Sequence, residues 1–227
     1  KMAGGLRDYK NIHKDEDIYV IGSGSSCNFI DESFFKNKIT IGINQVYKKY
    51  KTQYLIRKEF KLISDALKNT NDTIMFISRG DCGELNNINY DYINKNHPNN
   101  KNIIVFDHNK NNIAMELNTL RQLNENQLIV SHSTITSGIY LASYMGAKNI
   151  ILVGHDCGTI DGQSNFTGYH TEEFLCQTTP AGYNQFLTKI ERDTIILKMY
   201  LNHTYNCNVY SLNPFVSFRL EGHDFKR

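Results

Sequence analysis

The feature that most restricts the fold is the segment Asn149 to Val153, N-I-I-L-V, an apolar run closed by Gly154. A run without polar alternation suits a strand covered on both faces, as a parallel sheet requires. The residues before it read as a helix leading into that strand. Ser133, Thr134, Thr136 and Ser137 have the composition of an N-cap, and Ile139, Tyr140, Tyr144 and Met145 form an apolar stripe. Gly146 supplies the stop. His155 and Asp156 then fall just past the carboxyl end of the strand, where open α/β sheets hold their ligands.

The rest of the chain repeats this alternation. Strands are expected at Asp17–Ile21, Ile39–Ile43, Gln53–Ile56, Thr73–Ser78, Ile103–Phe106, Gln127–Val130 and Asn208–Ser211. Helices are expected at Ile30–Phe35, up to Leu67, at Asn118–Leu123, and from about Glu191 to Tyr205. The Asn- and Asp-rich stretch 79–101 reads as an irregular excursion, and 157–190 as a polar loop. No Pro- or Gly-rich linker interrupts the chain, so residues 1–227 are expected to form one domain. The fold class is α/β, a mainly parallel sheet with helices on both faces.

Composition excludes several partners. A formal net charge of +2 gives no bulk attraction to nucleic acid or membrane surfaces. No apolar run is long enough to span a bilayer and no signal peptide is visible, although the opening Lys-Met-Ala-Gly-Gly reads as a trimmed end. Cys27, Cys82, Cys157, Cys176 and Cys207 show no paired spacing. They read as reduced thiols in a cytoplasmic protein and not as a zinc site.

In such a fold the loops after the strands gather on one edge. Gly22-Ser23-Gly24-Ser25-Ser26 follows the first strand, where glycine lets backbone approach a phosphate or ribose. It is neither a dinucleotide fingerprint nor a P-loop, and an ordinary strand-to-helix turn explains it as well. Ser131 to Gly138 could hold a phosphate or sugar at a helix N-terminus, or simply cap the helix. Asn44 suits a base or sugar edge, and Asp156 either a ligand or a turn cap. The loop Phe166-Thr167-Gly168-Tyr169-His170, with Tyr183, places an imidazole among tyrosines. That is a general-base composition, for which His155, His132, His203 and His223 compete. Arg57, Lys58 and Glu59 are either a solvated face or part of the site.

The segments GSGSS, IGINQVY, ITSGIYLASYMGAKNIILVGHD and NVYSLNP together resemble a group of Rossmann-like transferases. These are the small bacterial sialyltransferases and the motility accessory factor (Maf) glycosyltransferases, whose domain is shared with an archaeal hydroxymethyl-dihydropterin pyrophosphokinase. The resemblance runs from Ile18 to about Pro214. It implies that Gly22, Ser23, Gly24 and Ser25 line the nucleotide phosphate and ribose, and that Asn44 contacts nucleotide or donor sugar. It implies Thr136, Ser137 and Gly138 on the nucleotide or donor carboxylate, with Asp156 beside the nucleotide. His170, or failing that His155, would be the general base, with Tyr169 and Tyr183 assisting the leaving phosphate.

The function so implied is transfer of a nonulosonic-type sugar from a nucleotide-activated, cytidine-linked donor to an acceptor hydroxyl on a glycan or protein. No metal or further cofactor would be needed, and self-association stays open. The alternatives are a Mg-ATP-dependent pyrophosphokinase, using Asp156 and Asp161 with Glu59 or Asp81, and a non-catalytic nucleotide-sugar-binding module.

Overall fold

The computed structural model describes residues 5–109, 117–160, 163–169 and 180–212, the last with side chains from 187 onward. Seven strands form one sheet: β1 (Asp17–Ile21), β2 (Ile39–Ile43), β3 (Tyr54–Arg57), β4 (Ile74–Ser78), β5 (Ile103–Phe106), β6 (Asn149–Val153) and β7 (Asn208–Ser211). Their order is β5-β4-β3-β2-β1-β6-β7, and every pairing is parallel. The fold is therefore α/β and Rossmann-like. Five helices accompany the strands among the described residues: α1 (Ile63–Asn69), α2 (Ile88–Asn96), α3 (Leu117–Gln122), α4 (Thr134–Tyr144) and α5 (Pro180–Tyr205).

Alternate side chains divide the core. Ile18, Val20, Ile41, Ile43, Ile56, Phe76, Ile150 and Leu152 pack with residues of α3, α4 and α5. On the other face, Leu55, Met75, Ile77 and Ile103 meet α1 and α2, while Ile21 and Val153 meet short turns carrying Cys27, Phe35 and Val46. Both faces are thus dry, which is why the strands read as continuous apolar runs. The chain runs outward from β1 to β5 and then returns to place β6 on β1's free side. The sheet order reverses between β1 and β6, the position at which open α/β sheets hold a ligand crevice.

Several expectations need correction. Gln127–Val130 is not a strand: Gln127 makes one isolated bridge to Asp107, and Leu128, Ile129 and Val130 are buried as connecting chain. The 79–101 excursion contains α2, and α5 begins at Pro180, well before Glu191. Ile30–Phe35 is no α-helix; it holds the 3₁₀ turn Glu32–Phe35, and another, Ser25–Phe29, precedes it. Among the described residues no helix is long and apolar enough to cross a membrane.

Helix α4 lies against β1, β2, β3 and β6, and Gly138 sets how closely it lies. A Cβ at this position would come 2.6 Å from Ile43 Cδ1 and 3.0 Å from Val20 Cγ1. Gly138→Ala is expected to cost about 1–3 kcal/mol through this overpacking. A urea titration with unchanged slope would measure it.

Candidate functional site

A cleft of about 360 Å³ opens at the crevice between the β1 and β6 loops. Its walls are Gly22–Gly24, Asn44, Lys58 and Glu59, the segment His132–Ile135, the segment Gly154–Gly158, and Asn165 and Tyr169. The strand-end loops expected to converge do so, although several of their residues stay outside the cleft. Ser78 is wholly buried beneath the edge, bonded to Gly80 O at 2.7 Å, and Arg79 pairs with Asp107 at 2.5 Å.

The glycines of the first loop are explained by the neighbouring chain. Gly22 N–H donates to Val153 O and Gly24 N–H to Gly154 O, both at 2.7 Å. A Cβ on Gly22 would meet Gly154 O at 2.7 Å, and one on Gly24 would meet the Asp156 carboxylate at 2.4 Å. Both residues are glycine because the β6 loop lies directly against them. Ser23 does line the cleft, its Oγ receiving Asn165 Nδ2 at 2.8 Å. Ser25 faces away from it, buried with its hydroxyl 3.5 Å from Asp156.

Asp156 lines the cleft and is also tied into the wall. Its carboxylate accepts the Ser26 N–H at 2.8 Å and the Ser26 hydroxyl at 2.5 Å. It therefore caps the turn Ser25–Phe29. Thr136, Ser137 and Gly138, expected on the ligand, are buried inside the fold. Thr136 Oγ1 donates to Ser133 O at 2.6 Å, and Ser137 Oγ donates to Ile129 O at 2.5 Å. Their hydroxyls close the turn into α4, and Gly138 is a packing residue.

What α4 offers the cleft is its first turn. Ser133 is the N-cap, accepting from Ile135 N. Thr134 Oγ1 is buried and has no hydrogen-bond partner among the described residues. Lys58, only 8% exposed, brings Nζ to 3.4 Å from Ser131 O and forms no salt bridge among the described residues. Burial pushes its pKa below the ordinary lysine range, with Glu59 partly opposing this. Arg57 is fully buried behind the wall, its guanidinium lacking hydrogen-bond partners among the described residues and its Nη2 3.9 Å from Glu59. Asn44 holds a left-handed backbone (φ 54°), which asparagine tolerates, and its buried Oδ1 is also unpartnered. This end of the cleft is rich in donors and positive charge.

Among the described residues two imidazoles line the cleft, and α5 holds both. His132 Nδ1 lies 2.9 Å from Asp193 Oδ2, and His155 Nε2 lies 2.8 Å from Thr194 Oγ1. The Thr194 hydroxyl donates to Ile190 O at 2.9 Å, and on that basis the ring proton of His155 is assigned to Nε2. Desolvation lowers the His155 pKa to about 4. At 1.36 kcal/mol per unit, roughly 3 kcal/mol opposes charging that ring, an environment unsuited to a base. Tyr169 borders the cleft and packs edge-on against Phe166, ring centroids 5.3 Å apart. Burial raises its pKa, with Ser23 and Asn44 pulling back. His170 and Asp161 lie outside the described residues, as does the side chain of Tyr183.

The expected likeness is found. One similar solved structure is the sialyltransferase CstII from Campylobacter jejuni in complex with the substrate analogue cytidine-5′-monophosphate. It has 15% identity and a TM-score of 0.48, covering 91% of this chain and 83% of that one. A second is the Maf glycosyltransferase from Magnetospirillum magneticum AMB-1, at 11% identity and TM-score 0.48. That match covers 94% of this chain but 39% of the other, so this chain spans well under half its length. No protein-family model matches the sequence, and no curated protein does. At these identities the chemistry has to be argued from the cleft.

Sequence reasoning passed over Asp193 entirely. A signal existed: Ile190, Asp193, Thr194, Leu197 and Leu201 share the buried stripe of α5, so two polar residues interrupt an apolar face. Among the described residues no three His, Cys, Asp or Glu side chains gather as a metal-ligand set. Asp81, a candidate metal carboxylate, instead accepts from Phe60 N at 2.6 Å.

Proposed function

We propose that the chain is a glycosyltransferase that binds a nucleotide-activated sugar in this cleft and passes the sugar to an acceptor hydroxyl. The observation that carries the reading is that the buried Lys58 amine and a Thr134 hydroxyl with no hydrogen-bond partner among the described residues line the same cleft at the N-terminus of α4. A buried cation that forms no salt bridge among the described residues gains from an arriving anion, and helix N-termini favour the same charge. A phosphate or a sugar carboxylate would supply it. Gly22–Gly24 and Asn44 would then flank the nucleotide, and Tyr169, which borders the cleft, would donate its hydroxyl to the departing phosphate. The resemblance of the GSGSS, INQ and TSG segments to the sialyltransferase and Maf group makes a cytidine-linked, nonulosonic-type donor and metal-independent transfer our specific reading. Localisation in the cytoplasm, with a glycan or protein acceptor, belongs to the same reading.

The test is thermal melting of the purified chain with cytidine, uridine, guanosine and adenosine nucleotides, each with EDTA or Mg²⁺. Cytidine monophosphate in EDTA is expected to stabilise the fold. Saturation at a hundredfold the dissociation constant corresponds to about 2.7 kcal/mol. Lys58→Met should keep its own melting temperature or gain, since it removes a buried charge, yet lose most of that stabilisation. Stabilisation only by ATP with Mg²⁺ would move the assignment to the pyrophosphokinase, and silence from every nucleotide would overturn both.

A further inference from the structure

The two imidazoles of the cleft differ in what stands behind them. His155 faces a neutral hydroxyl whose proton is already committed to Ile190 O. His132 faces Asp193, a carboxylate with only 2% of its side chain exposed, on the inner stripe of α5. A carboxylate held against Nδ1 orients the ring and fixes its tautomer, as the third residue does in hydrolytic triads. The second nitrogen, Nε2, lies on the side of the ring away from that carboxylate. His132 borders the cleft two residues before Thr134, next to the cationic end.

Resting on the transferase reading, we propose that His132 is the general base of the reaction and that Asp193 is its positioning residue. In the step, His132 Nε2 takes the proton of the acceptor hydroxyl while that oxygen bonds to the anomeric carbon. The bond from the anomeric carbon to the phosphate oxygen breaks, and its electron pair leaves with the nucleotide. The imidazolium so formed is balanced by Asp193 until it returns the proton to solvent. His170 is not required for this step.

The experiment measures nucleotide release by the full chain from cytidine-, uridine- and guanosine-linked sugars, with a mixture of free mono- and disaccharides as acceptors. His132→Ala is expected to lower kcat on the order of a hundred- to ten-thousand-fold while cytidine monophosphate still stabilises the fold. Added imidazole should restore part of that loss, which a merely structural role would not permit. Asp193→Asn should lower kcat about ten- to a hundredfold with donor KM unchanged, and the double variant should be no slower than His132→Ala. His132→Gln, which keeps a donor toward Asp193, guards against a folding defect and should be as slow as His132→Ala. A wild type that turns over while a folded His132→Ala keeps full rate would overturn the dyad alone and pass the role to His170. A wild type that releases no nucleotide from any donor would overturn the transferase reading and the dyad with it.

Discussion

Acidification from about pH 6.5 to about pH 4 is expected to remove roughly 3 kcal/mol of folding stability through His155 alone. The ring is buried between β6 and α5, with Nε2 donating to Thr194 and the Cys157 sulfur 3.8 Å from that nitrogen. None of these partners carries a charge that would offset protonation, and the Cys157 thiol is itself pushed upward by burial. The folded pKa of about 4 lies below the ordinary value of 6.5. Between those limits the unfolded chain binds the proton and the folded chain does not, so stability rises with pH across the window. Above 6.5 the contribution is complete, and below about 4 the full penalty is present. Urea titrations of wild type and His155→Gln from pH 4 to pH 7 would isolate it. A glutamine amide still donates to Thr194 but has nothing to titrate. The two stability curves should converge towards low pH, and parallel curves would sink the assignment.

That one wall holds a protonation-averse histidine and a carboxylate-backed one was not legible in the chain. The strands were, because burial on both faces leaves a one-dimensional mark: β1, β2, β5, β6 and β7 fall where their apolar runs do. Helix α2 left no such mark, since it buries only Asn89 and Ile93. Asn89 Nδ2 holds it in place by donating to Ser78 O at 3.0 Å and Gly80 O at 2.8 Å. A buried carboxamide of this kind looks like loop composition until its partners are known. Ser131–Gly138 failed in the opposite sense. Its hydroxyls are present as expected, but packing against β1 and β2 decides which reach the cleft, and Thr134 does so in place of Thr136 and Ser137. The burial of Lys58 required tertiary information of the same kind, because no neighbour in sequence explains it, whereas Asp193 stood on the apolar stripe of α5.

The Asp156→Ala variant is expected to lose about 2–4 kcal/mol of stability and, with it, most nucleotide binding. The carboxylate is 3% exposed and accepts from Ser26 N, Ser26 Oγ and, at 3.5 Å, Ser25 Oγ. Each donor left buried without an acceptor costs about 1–3 kcal/mol, and bonds to a charged acceptor lie at the upper end. Truncation would leave the Ser26 N–H with no acceptor inside a packed turn, while the Ser26 hydroxyl can rotate to find another. Asp156→Asn tests the role of charge. It retains one acceptor oxygen but turns a second donor toward two donors, so a loss of about 1–3 kcal/mol is expected. Both variants would leave the β1 loop held to β6 by the Gly22 and Gly24 backbone hydrogen bonds, with the turn beyond them loosened and the Gly22–Gly24 wall of the cleft less firmly placed. Urea titration gives the stability term, and melting with cytidine monophosphate gives the binding term. If Asp156 served only the ligand, Asp156→Ala would keep wild-type stability while losing the nucleotide response. The geometry predicts the two losses together, because the residue that borders the cleft also anchors the turn that follows the glycine loop.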